Sequence, residues 1–203
     1  MASQLYGGFV MSNILADFAT AHAFTAQWEG GLTNHPADPG GLTNYGVSLR
    51  WLKDLGIVCG DIDHDGDIDA DDVRALTPET AADLFRRKFW DVYRLGELPQ
   101  IMADVVYDCM VNTGPAQTAR IAQRAFNAEC LPGPAPLRVD GVFGSATREA
   151  LRLGVGKPLA LGLIMERERF YRNLVYSKPS FQPFLKGWLN RCTALRRFVG
   201  VLS

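Results

Sequence analysis

Ile14, Phe18, Ala21, Phe24 and Trp28 recur at three- and four-residue spacing, the stripe by which an amphipathic helix meets a core. The chain is therefore expected to open on a helix running up to Glu29, with Gly30 and Gly31 ending it. VSLRWLKDLG predicts a second helix over 47–55, closed by Gly56, although its apolar residues follow the helical period only in part. Thr77-Pro78 joins a capping hydroxyl to a first-turn proline, so a helix is expected over 77–90 that buries Ala81, Leu84, Phe85 and Phe89. PQIMADVVYDCMVNTGP gives another over 100–113, stopped by Gly114 and Pro115, and AQTARIAQRAFNAE is helical after it. From Cys130 to Pro136 the chain is rich in proline and glycine, which marks an internal boundary. RVDGVFGSATREAL then turns at Asp140-Gly141, with Ser145 as a helix cap. Two further helices, over 159–175 and 181–199, complete an all-α chain, and their aromatics Phe170, Tyr171, Phe181, Phe184 and Trp188 are expected in the core.

One stretch breaks the helical pattern with charge. DIDHDGDIDADD, from Asp61 to Asp72, puts acidic side chains at positions one, three, five, nine and twelve, with Gly66 at six and Ile68 at eight. Calcium takes six to eight hard oxygens, and alternate side chains of a tight loop converge on one centre. Asp61, Asp63 and Asp65 would ligate directly, Asp67 through its backbone carbonyl, Asp69 through water, and Asp72 would close the shell. An acidic, merely solvated loop is the alternative, but so many like charges repel one another without a cation. The stretch resembles the calcium loops of EF-hands and dockerins. It occurs once, so the expectation is one structural calcium ion rather than a sensor.

Composition narrows the rest. The 203 residues suffice for one domain, or one with a small C-terminal subdomain. A formal charge of −1 with 47% apolar residues excludes a nucleic-acid-binding or disordered chain, and Arg86-Arg87-Lys88 and Arg196-Arg197 read as solvated helix faces. Cys59, Cys109, Cys130 and Cys192 are scattered without zinc-ligand spacing and are expected as free, mostly buried thiols. No stretch approaches the length of a membrane span, and MASQLYGGFVMSNIL lacks the features of a signal peptide, with Met11 an alternative start of the folded part.

The chemistry centres on QWEGGLTNHPADPGGLTNYGVS, from Gln27 to Ser48. Glu29 stands where a helix runs out, beside Trp28 and next to unpaired carbonyls whose partial negative charge disfavours an ionised carboxylate. Apolar surroundings act in the same direction, and a carboxyl that stays protonated near neutral pH is what a general acid requires. Glycosidases pair such an acid with a second group that activates water or stabilises the developing positive sugar. His35, Asp38, Thr43, Asn44 and Tyr45 follow on the same loop and are placed to face one cleft. Gly30, Gly31, Gly40, Gly41 and Gly46 are expected to supply positive-φ turns and close approach for a polymer.

Read whole, EGGLTNHPADPGGLTNYGVS closely resembles the N-terminal signature of glycoside hydrolase family 108, the phage-type and secretion-associated muramidases that cut the peptidoglycan glycan chain. Glu29, Gly30, Gly31, Asn34, Pro36, Asp38, Gly40, Gly41, Thr43, Asn44, Tyr45 and Gly46 carry it. The DGVFG turn at Asp140 and GWLNR at Gly187 to Arg191 resemble the C-terminal part of the same proteins. The resemblance implies a lysozyme-like catalytic domain over 13–130, with the loop at 61–72 as an insert, and a helical peptidoglycan-binding-like region over 131–203. It implies Glu29 as the catalytic acid and, nine residues on, Asp38 as stabiliser or water base. Thr43 comes one residue earlier than in the related phage-lysozyme pattern. Thr43 and Tyr45 become substrate contacts, and so do Tyr107 and Asn112 with their neighbour Asp108, for which packing and capping are the alternative. The implied function is an N-acetylmuramidase of phage-type lysis, monomeric, without membrane insertion, made in the cytoplasm and released by a holin-type partner to the periplasm or wall. A non-catalytic wall-binding accessory of a secretion system is the rival.

Overall fold

The run from Ile101 to Val111 carries only two charged residues, Asp104 and Asp108, and it forms the axis of the molecule. In the computed structural model, which describes residues 16–33, 41–129, 135–154 and 156–201, this run lies in helix α6 (Gln100–Thr113). Every residue from Met102 to Met110 is buried, as follows when a helix is covered on all sides. Helices α1 (Phe18–Thr25), α7 (Pro115–Glu129), α9 (Gly156–Ser177) and α10 (Gln182–Val201) supply that cover, with α7 and α10 also packed on α9. Gly114, at φ +78°, makes the sharp reversal between α6 and α7 that a side chain would oppose.

A smaller layer closes the other side of α1. It holds a two-stranded hairpin, β1 (Thr43–Asn44) and β2 (Val47–Ser48), then α2 (Leu49–Leu55), α3 (Ile57–Gly60), α4 (Ala70–Ala75) and α5 (Pro78–Phe85). Phe18, Trp90 and Tyr107 meet edge to face, and Phe85, Phe89 and Trp51 form a second aromatic group. Helix α8 (Ser145–Leu153) packs on α7. The chain is all-α apart from the hairpin, as the periodicity predicts.

Several boundaries differ from those expected, each for a local reason. Val47 is strand rather than helix, because Asn44 pairs with it and the Ser48 hydroxyl caps Trp51 N–H, so α2 starts only afterwards. The helix opened by Thr77 widens into a π-helical turn over Arg86–Asp91. Helix α8 is capped by Gly144, with Ser145 its first residue. Phe184, expected in the core, is 56% exposed, although it stacks on half-buried Trp188. Cys59, Cys109 and Cys192 are free thiols; Cys130 and most of the expected boundary segment lie outside the described residues.

Candidate active site

Helix α1 ends in a tight 3₁₀ turn over Ala26–Trp28, and Glu29 leaves it with extended backbone, φ −89° and ψ 118°. Gly30 and Gly31 do not end the helix through positive φ; among the loop glycines, Gly41 (+75°) and Gly46 (+77°) have that geometry. Tyr45 at +48° and Gly46 form the two-residue, type I′ turn of the hairpin. The need for glycine at 46 is doubled, since a Cβ there would lie 2.7 Å from Glu29 Oε2. The glycine thus makes room for the glutamate, where the sequence suggests room for a polymer. Gly46→Ala is expected to strain the turn by about 1–2 kcal/mol and to push the carboxyl aside. A thermal melt and a wall-lysis assay on the same preparation would show both losses together.

The Glu29 side chain is 19% exposed and lines a recess with His22, Ala26, Tyr45, Pro78 and Ala81. About 50 Å³ is free there, room for a water or a sugar hydroxyl. Its Oε1 accepts a hydrogen bond from Arg191 Nη1 at 3.0 Å. Arg191, on α10, also grips Asp108 of α6: Nη2 donates to Oδ1 at 2.7 Å and Nε to Oδ1 at 3.0 Å. Asp108 has no exposed surface and receives two further bonds, from Arg167 Nη1 on α9 at 2.6 Å and Thr25 Oγ1 on α1 at 3.1 Å. Arg167 Nε bonds Tyr171 Oη at 2.8 Å, and that hydroxyl donates in turn to Asn112 Oδ1. Two acids and two arginines from four segments therefore share one buried network.

Proton affinities follow from this placement. Burial raises the Glu29 carboxyl above its ordinary range, the Asp108 charge acts in the same direction, and Arg191 opposes both without cancelling them. Burial would also raise Asp108, but the guanidinium groups of Arg167 and Arg191 hold it below the usual carboxylate value. Burial lowers the proton affinity of His22. Its Nδ1 lies 2.8 Å from Tyr107 Oη.

The structure therefore sorts the expected site residues. Tyr45 lies beside Glu29 in the recess. Thr43 sits on β1, its hydroxyl donating to Gly41 O and its backbone bridged to Thr33. Tyr107, expected as a sugar contact, has no exposed surface; it packs under His22 and Phe18 and meets the recess only through the histidine. Asp108 and Asn112 likewise take part in the internal network, Asp108 fully buried and Asn112 only in part. Asp38 lies outside the described residues, as do Asn34, His35 and Gly40. Arg191, Arg167 and His22 carry no role in the sequence reading. His22 has a retrievable signal, standing seven residues before Glu29 with Ala26 between them; Arg191 closes the GWLNR stretch, but the carboxylates that the two arginines reach are 59 to 162 residues away.

The acidic loop runs between α3 and α4, with His64 (φ 65°) and Gly66 (φ 100°) making its turn. Oxygens of Asp61, Asp63 and Asp65 lie within 4.8 Å of one another, and so do those of Asp67, Asp69 and Asp72. Asp61 Oδ2 accepts from Gly66 N–H at 3.1 Å, whereas Oδ1 is buried with no partner among the described residues. Asp72 ties the loop's ends, accepting from Ile62 N–H at 2.6 Å and Asp69 N–H at 2.7 Å. Burial and the charges of Asp65 and Asp72 raise Asp63; Asp65 and then burial raise Asp67.

The mostly helical frame, with Glu29 just past the end of α1 and opening on a recess, matches a lysozyme-like fold. Residues 22–114 match the family model described as glycosyl hydrolase 108, and residues 117–193 match one described as a predicted peptidoglycan domain. The N-terminal part of the chain is thus similar to glycosyl hydrolase 108, which supports a glycosidase of peptidoglycan, and the segment behind it is similar to a peptidoglycan-binding domain. Among solved structures, Brucella abortus SagA is similar at 26% identity and a TM-score of 0.69, covering 91% of this chain and 94% of that one. No curated protein matches the sequence. The second match begins inside α7, the helix that packs on α9.

Proposed function

We propose that this chain is an N-acetylmuramidase that cleaves the β-1,4 bond between N-acetylmuramic acid and N-acetylglucosamine, with Glu29 as general acid. The observation that carries this is the Glu29 carboxyl itself, half-buried at a recess and raised in proton affinity. As the bond from the anomeric carbon to the leaving oxygen breaks, the Glu29 proton passes to that oxygen and positive charge develops on the sugar. Water adds to the anomeric carbon and gives up a proton. Asp38 is the group we assign to that proton or to the sugar's charge, with Thr43 and Tyr45 as sugar contacts. Release of new reducing ends from purified peptidoglycan by the parent, and its absence in Glu29→Gln, tests the reading. Because the acid must be protonated to act, turnover is expected to fall as pH rises through the raised Glu29 pKa, and a rate independent of pH on the alkaline side would contradict the role.

The physiological role we assign is phage-type lysis by a monomer, with release to the periplasm or wall through a holin-type partner. Its support is the likeness of the Gln27–Ser48 stretch to phage-type muramidases.

We also assign one structural calcium ion to the acidic loop. Asp61 Oδ1, buried without a partner among the described residues, is an oxygen that a cation would satisfy, and the ligands we assign with it are Asp63, Asp65, Asp67, Asp69 and Asp72, whose oxygens cluster as Asp61, Asp63 and Asp65 and as Asp67, Asp69 and Asp72. An ion that binds only the folded chain stabilises it by mass action, about 2.7 kcal/mol at a hundredfold excess over Kd. Chelation is expected to lower the melting temperature by several degrees and added calcium to restore it; an unchanged melt would remove the ion from the account.

A further inference from the structure

We propose that Arg191 is a positioning residue for the reaction, a cation lent by the C-terminal unit that orients the Glu29 carboxyl and makes this unit part of the catalytic apparatus. The inference rests on Glu29 being the acid. Arg191 lies inside the segment matched to the predicted peptidoglycan domain, whereas Glu29 and Asp108 lie inside the glycosyl hydrolase segment. One guanidinium therefore bridges the two. Its seat is built from both sides: Trp188, one turn earlier on α10, stacks on Tyr171 of α9 at 4.9 Å, and Asp108 holds the guanidinium through three contacts of 2.7 to 3.3 Å. Nη1, which makes no contact with Asp108 among the described residues, donates to Glu29 Oε1.

That bond biases which oxygen bears the proton. An arginine only donates, so the oxygen it holds must accept, whether Glu29 is charged or neutral. Because the carbonyl oxygen of a neutral carboxyl is the better acceptor, this bond favours the proton on Oε2, the oxygen beside Gly46 in the hairpin turn. Asp108 has the complementary part. Because it occupies Nε and Nη2, Arg191 reaches Glu29 through Nη1 alone and orients it without forming the bidentate pair that would hold it ionised. The other groups around the acid are Tyr107 on α6, Arg167 on α9, His22 on α1 and Tyr45 in the hairpin. Only Arg191 is both charged and hydrogen-bonded to Glu29 among the described residues.

The test is a pH–rate series on the full chain against purified peptidoglycan, with thermal melts of each variant. In Arg191→Gln the alkaline limb of kcat/KM is expected to move up by on the order of one pH unit, since an opposite charge at contact has been removed. The plateau kcat is expected to fall with KM little changed, because the carboxyl is no longer aimed. Arg191→Lys keeps the charge but has no fork to reproduce the separate Nε, Nη1 and Nη2 contacts, which weakens its hold on Glu29, so its limb is expected between those of the parent and the glutamine variant. If the glutamine variant does not fold, an upward shift in the lysine variant alone carries the inference. Arg167→Lys, which touches Asp108 but not Glu29, is expected to lower the melting temperature with the limb unmoved. A limb that stays put in folded Arg191 variants while Glu29→Gln is inactive would overturn the inference alone. An active Glu29→Gln would overturn the assignment of the acid beneath it.

Discussion

Glu29→Gln is expected to leave a folded protein whose release of reducing ends from peptidoglycan falls by about 10²- to 10⁴-fold, the usual contribution of a positioned general acid. The substitution keeps the shape of the side chain, and the amide oxygen can still accept from Arg191 Nη1, so the network around Asp108 stays paired. What it removes is the only proton that the recess offers on a carboxyl group among the described residues. Binding to sedimented walls and the melting temperature are therefore expected to stay near those of the parent while turnover is lost. A variant with near-parental turnover would remove Glu29 from the chemistry.

Asp108→Asn is expected to cost about 3–5 kcal/mol, because it leaves two buried guanidinium groups without the charge that compensates them. Against a total stability of about 5–15 kcal/mol for a typical domain, this is a severe loss. Denaturant unfolding measures it directly, and a change below about 1 kcal/mol would show that the network is not paired as described. The pH dependence has a defined sign. Asp108 titrates below its usual value of 3.8 in the folded chain, so its contribution is fully present above that value and is lost as pH falls through the acid range. The stabilities of parent and variant are accordingly expected to converge on acidification. The same substitution frees Arg191 to pair with Glu29 alone, which favours the ionised acid. In whatever fraction remains folded, the alkaline limb is expected at lower pH than in the parent, opposite to the shift in Arg191→Gln.

Much of this was legible from local order. The period of apolar residues located α6, α7, α9 and α10 within a few residues, since each buries a face that the next residues in sequence define. Glu29 stood out because a helix end, an acidic residue and a run of glycines are consecutive, and the acidic loop because its carboxylates alternate along one short stretch. Tertiary structure alone decided what surrounds the acid. Arg191 is 162 residues from Glu29 and Asp108 is 83 from Arg191, so no periodicity couples them; only the packing of α10 against α6 and α9 brings their charges into contact. It also added a second need to the positive φ expected of Gly46, whose missing side chain accommodates a carboxylate from another segment, and it buried Tyr107 on a helix covered on every side. Spacing along the chain thus determined which residues could do chemistry. Which of them share one low-dielectric pocket, and hence what their protons do, depended on contacts between segments that the chain keeps far apart.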